Sequence, residues 1–99
     1  MAKGHLRIRA RISSSNLEAL KPVLERAITR GSIVQKGGEL VVDAQAEGDS
    51  AKELNRALLS AMRRVEKRTR LRAEWTSDDG TTQTFFDYVL KKTTKAESS

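Results

Sequence analysis

Arginine recurs at alternate positions near the amino end, as Arg7, Arg9 and Arg11, and again as Arg70 and Arg72. A guanidinium is a planar fork of donors matched to the oxygens of a phosphate or carboxylate, so several on one surface are equipped to hold a polyanion. A second basic set, Lys52, Arg56, Arg63 and Lys67 with Arg64 and Arg68 beside them, follows helical spacing. Residues for bond-making chemistry are scarcer. The single histidine is His5 and cysteine is absent, which excludes Cys–His and multi-histidine sites. Glu39, Asp43, Glu47, Asp49, Glu53, Glu74, Asp78 and Asp79 show no spacing that would drive two carboxyl pKa values apart, as acid/base catalysis needs. Asp78-Asp79-Gly80 suits a turn, since a calcium loop needs more oxygen ligands in a fixed order. Gly37-Gly38 lacks the helix that would follow a phosphate-cradling loop. The expectation is a binding protein and not an enzyme, with no catalytic residue, metal, cofactor or small-molecule substrate.

The elements that position the arginines follow from periodicity. Leu6, Ile8, Ala10 and Ile12 interleave with Arg7, Arg9 and Arg11, the period-two pattern of a strand with one buried face. Ser15 and Glu18 have the form of a capping box, opening a helix whose Leu17, Leu20, Leu24 and Ile28 share a face. Pro22 predicts either a kink or a regular helix that starts near Lys21, and Gly31 predicts the helix end. Ser32 to Lys36 and Glu39 to Glu47 predict two strands joined at Gly37-Gly38. A two-residue turn there pairs Gln35 with Leu40, which places an amide on the core side and leaves a longer loop or bulge open. Ser50 and Glu53 predict a second capping box, and Leu54, Leu58, Ala61 and Val65 a helical stripe extending to about Arg68. Leu71, Ala73 and Trp75 alternate with charged residues, and Thr84, Phe86, Tyr88 and Leu90 alternate after the Asp78-Asp79-Gly80 turn, which predicts a closing hairpin. A short helix over Phe85 to Lys92 is the alternative. Trp75, Phe86 and Tyr88 are expected in the core.

This order predicts an α+β protein: a two-layer sandwich of ferredoxin-like β-α-β-β-α-β type with an added C-terminal strand, both helices on one sheet face. Residues 1–92 are expected to form one domain and 93–99 a disordered tail. No apolar run has the length of a membrane span, and arginines stand where a secretory signal needs its apolar centre, so no membrane partner and a cytoplasmic location are expected.

The formal net charge of +6 favours a polyanionic partner. In a ferredoxin-like sheet the first and fourth strands are neighbours, which would gather Arg7, Arg9, Arg11, Arg70 and Arg72 on the helix-free face, with Arg63 and Lys67 contributing from the second helix. The expectation is RNA, tRNA or rRNA, gripped through its phosphates; outward positions such as Val41, Asp43 and Gln45 hold no aromatic, which argues against base reading. A structural subunit that dimerises or docks on an acidic partner, using a sheet edge or the face containing Val34, Val41, Phe85 and Val89, is the alternative.

The stretch from Gly38 to Val65 holds the strand Gly-Glu-Leu-Val-Val-Asp-Ala-Gln-Ala-Glu. Asp49-Ser50-Ala51 follows, then a helix with Leu54, Leu58, Ser60, Met62, Arg63 and Val65. It resembles the small dimerising subunit of KEOPS, the CTAG/Pcc family. The resemblance covers about the middle third of the chain and implies a three-stranded sheet with two helices, dimerisation, and service to a complex that modifies tRNA. Arg63 matches a basic helix position of that family. Asn55 and Leu59 stand where arginine and asparagine would be expected, and the hairpin from Leu71 to Leu90 extends beyond the family core.

Overall fold

The structure, a computed structural model, describes residues 4–48 and 50–95. Strand β1 (His5–Ser13) buries Leu6, Ile8, Ala10 and Ile12 and turns its arginines to solvent, as a half-buried strand must when alternate residues differ in polarity. Helix α1 (Leu17–Ala27) is capped by Asn16, whose side chain accepts from the Ala19 N–H at 3.3 Å, and not by Ser15. Asparagine caps as well as serine, and the helix starts one residue later than the box implied. Pro22 lies inside α1 on an exposed position, where water can serve the carbonyl that its missing N–H leaves free.

Gly31 does not end α1. It lies in β2 (Arg30–Lys36), because a Cβ at this position would come within 2.3 Å of the Ala44 Cα on the facing strand. Gly37 and Gly38, with φ of 57° and 79°, make the expected two-residue turn into β3 (Glu39–Glu47). Gln35 does face Leu40, with no bulge needed: β2 is an edge strand, and its amide stays in water.

Helix α2 (Ala51–Val65) starts at Ser50, whose hydroxyl accepts from the Glu53 N–H at 3.4 Å. It buries Ala51, Asn55, Leu58, Leu59 and Met62, so its inner face is rotated from the expected stripe and Val65 is exposed. The helix also stops before Arg68, where Thr69 is buried and its hydroxyl donates to the Glu66 carbonyl at 2.7 Å. Strand β4 (Arg70–Thr76) buries Leu71, Ala73 and Trp75.

The last hairpin departs most from expectation. Thr84 to Leu90 is neither one strand nor a helix; β5 (Thr82–Phe86) and β6 (Val89–Thr94) flank a turn at Asp87 and Tyr88. Phe85 is the buried member of its pair, whereas Phe86 and Tyr88, expected in the core, are exposed. β6 includes Thr93 and Thr94 of the predicted tail; residues 96–99 of that tail, and Asp49, lie outside the described residues.

Among the described residues the strands form one antiparallel sheet of six in the order β2-β3-β1-β4-β5-β6, with α1 and α2 packed side by side over the face that carries the aliphatic rows. Two strands, and not one, therefore follow β4. Ile8 and Ile12 in β1, Leu20 and Leu24 in α1, and Leu59 and Met62 in α2 are fully buried between the layers. No helix among the described residues is long and apolar enough to cross a membrane.

The turn between β4 and β5 is built around Asp79. The Ser77 hydroxyl donates to Asp79 Oδ1 at 2.6 Å and the Thr81 N–H donates to the same oxygen at 2.9 Å. These donors, Ser77 foremost, hold the carboxyl down at about 2 from its usual 3.8. A lowered folded pKa contributes stability above the unfolded value of about 4 and loses it as pH falls through the folded value. An NMR titration should place the Asp79 midpoint near 2; a midpoint near 4 would show that the turn bonds do not persist in solution.

Candidate nucleic-acid interface

The helix-free face consists of rows that run across the sheet, because residues opposite one another in an antiparallel ladder point the same way. One row reads Arg30, Gln45, Arg7, Thr76, Thr82, Thr94 from β2 to β6. The next reads Ser32, Asp43, Arg9, Glu74, Thr84, Lys92. The third reads Val34, Val41, Arg11, Arg72, Phe86, Val89. The expected neighbours on β1 and β4 are therefore assembled on one surface.

The rows differ in charge balance. Arg7 is held by Asp43 from the adjacent row: its Nε and Nη2 donate to Oδ1, and its Nη2 also to Oδ2, all at 3.1 Å. Both side chains are about half exposed, so the pair adds little stability, but it neutralises the Arg7 charge. Arg9 has a carboxylate residue opposite it on each side, Asp43 and Glu74. Arg11 and Arg72 face each other directly across β1 and β4, and their row contains no acid. Neither has an ion-pair partner among the described residues. Two like charges opposed in this way repel, and water, the carboxylates of Glu39, Asp43, Glu74 and Asp87 that line the same surface, or an anion can screen them.

Phe86 continues the row. The Arg72 guanidinium carbon lies 5.2 Å from the centre of its ring and the Lys91 ammonium 5.9 Å from it, both within cation–π range. Two shallow concavities of about 530 and 350 Å³ adjoin here, and Arg11, Arg72 and Phe86 line both. A third, of about 400 Å³, lies at the α1–β2 corner, where Glu25 offsets Lys21 and Arg30.

Arg63 and Lys67 are not on this face. Arg63 donates from Nε to the Thr69 carbonyl at 3.0 Å, stacks over Tyr88 at 5.2 Å and lies 3.5 Å from Asp87. Lys67 is exposed in the turn after α2. Arg70 reaches the sheet end, where its Nε is 3.4 Å from Asp87 Oδ2.

Asp87, which no periodicity in the sequence singles out, gathers these groups. Its φ is 55°, a left-handed conformation that Asp tolerates better than most side chains. Its N–H donates to the Leu71 carbonyl at 2.7 Å, and its Oδ1 accepts from the Leu71 N–H at 2.9 Å. Its carbonyl accepts from Asn55 Nδ2 at 2.7 Å, and Asn55 Oδ1 accepts from the Trp75 indole N–H at 3.1 Å. The turn that orients Phe86 is thus bonded to β4 and to the interior of α2. The available signal was an Asp between two strand-like runs, a residue suited to a turn.

No family model matches this chain, and no curated protein or solved structure shows significant similarity to it. Among the described residues no group of three or more His, Cys, Asp or Glu is placed to hold a metal ion.

Proposed function

We propose that the protein is a non-catalytic RNA-binding module that grips phosphates on the helix-free sheet face, with Arg11 and Arg72 as the principal contacts and Arg9 and Arg70 beside them. The directly opposed arginine pair, in a row that holds no acid of its own, carries this reading. The net charge of +6 supports it by drawing polyanions toward the whole molecule. Within the wider sheet we read β1 to β4 and the two helices as a ferredoxin-like unit to which β5 and β6 are appended, and the order β2-β3-β1-β4 supports that reading.

The RNA classes proposed are tRNA and rRNA, and the resemblance to the KEOPS subunit favours tRNA. At two of its departures this chain places side chains in the interior: Asn55 and Leu59 are buried, so neither offers a polar group to a partner.

Salt is the direct test. Neutralising about three phosphates gives a log–log slope of roughly −2 to −3, so affinity for tRNA should fall about thirtyfold between about 50 and 200 mM salt. Arg11→Gln combined with Arg72→Gln should flatten that slope by nearly two while circular dichroism is unchanged. An affinity that ignores salt refutes the proposal.

A structural or dimerising role is the second reading, favoured by two open sheet edges where Val34, Val89 and Leu90 are about half exposed. Phe85, expected on that surface, is buried and takes no part. Sedimentation decides: a stable dimer with no affinity for RNA selects this reading.

A further inference from the structure

We infer that Phe86 is a stacking seat for an unpaired nucleobase, so that the ligand of this face is single-stranded RNA. The inference rests on the RNA reading above and narrows it.

The core does not need this ring. Phe85 fills the interior position of β5, fully buried, while Phe86 on the opposite face is 43% exposed. An aromatic ring left in water stabilises the fold little, yet this one sits in the row of Arg11 and Arg72 and borders both concavities. Its neighbours are complementary to a nucleotide. A base laid on the ring, or slid between it and the Arg72 guanidinium, stacks against planar groups of the kind that bind single strands without regard to sequence. The phosphate on one side of that base then lies toward Arg11 and Arg72. The phosphate on the other lies toward Lys92 and Lys91, and the flexible Lys91 side chain can leave the ring without disturbing β6.

An unpaired strand suits this surface better than a duplex. A duplex hides the faces of its bases, and the deep, narrow major groove of an RNA helix does not admit a broad sheet. A single strand running across the strands brings bases and phosphates alternately to Phe86 and to the cations. The apolar residues of the same row, Val34, Val41 and Val89, extend the platform in both directions.

The test compares a labelled twelve-nucleotide oligouridylate, an RNA duplex of equal length and inorganic polyphosphate at one salt concentration. The native protein should prefer the single strand to the duplex. Phe86→Leu should weaken oligouridylate binding about tenfold and leave polyphosphate binding within about twofold, since stacking on an aromatic accounts for such a factor per base. Phe86→Trp should keep the affinity, and the fluorescence of its added indole should be quenched by oligouridylate and not by polyphosphate. Equal affinity for duplex and single strand, with Phe86→Leu without effect, overturns the stacking seat while phosphate binding stands. Failure of every polyanion to bind in a salt-dependent way overturns both. An indole in Phe86→Trp that oligouridylate leaves unquenched, despite binding, also overturns the seat.

Discussion

Replacing Asn55 by alanine should lower the unfolding free energy by about 3 kcal/mol, the range expected when buried polar partners lose their only bond. Asn55 is 1% exposed, and its amide serves two groups at once, the Trp75 indole N–H and the Asp87 carbonyl. Alanine leaves a donor and an acceptor unpaired inside the protein and opens a cavity between α2 and β4. Trp75 is the only tryptophan, so its emission reports the loss directly during denaturant unfolding. Asn55→Asp separates the two bonds. An ionised carboxylate accepts from the indole but repels the Asp87 carbonyl, whereas the protonated form restores a donor. Burial and that carbonyl raise the folded pKa of the new group above its unfolded value of about 4. The stability it confers is therefore complete below the unfolded pKa and lost as pH rises through the folded one. N55D should lie closer to the native protein at about pH 4 than at about pH 7; the reverse order would show that the Asp87 carbonyl bond contributes nothing.

Gly31→Ala should destabilise by about 2 to 4 kcal/mol through a different route, steric overlap with strained backbone. The added methyl would lie 2.3 Å from the Ala44 Cα and 2.5 Å from the Asp43 carbonyl oxygen, and the φ of 141° is one that side chains rarely adopt. Neither obstacle is a flexible side-chain end, so β2 must move off β3. Only Ile33 of β2 packs against the core, so the strand has little to hold it once the ladder is broken. Hydrogen exchange should quicken across Arg30–Lys36 and remain slow in β1 and β4. Unchanged protection in β2 would mean that the strand pairs more loosely than its register implies.

The parts of this fold legible in the sequence are those where one signal dominates. From Leu6 to Ile12 in β1 an aliphatic residue alternates with arginine, so the strand and the direction of its guanidiniums follow together. Gly37-Gly38 announces its turn because few other pairs accept positive φ twice in succession. Ambiguity begins where neighbours are alike. Phe85 and Phe86 satisfy either face of a strand equally, so alternation cannot rank them, and the choice is made by the bonds that pin Asp87 to Leu71 and Asn55. α2 is ambiguous for a related reason. Asn55 looks like a surface residue until Trp75 and Asp87 are seen to satisfy it, after which the inner face rotates and Val65 moves out. The candidate site was half visible: the arginine faces were, but their partners were not. Asp43 pairs with Arg7, while Arg11 and Arg72 have no ion-pair partner among the described residues and no acid in their row.

The outermost strand carries Lys91 and Lys92 side by side on an edge whose amides and carbonyls await a neighbour. A second copy adding there edge to edge in antiparallel fashion would set ammonium groups near ammonium groups, so end-on growth into a fibre is opposed by charge where hydrogen bonding would invite it.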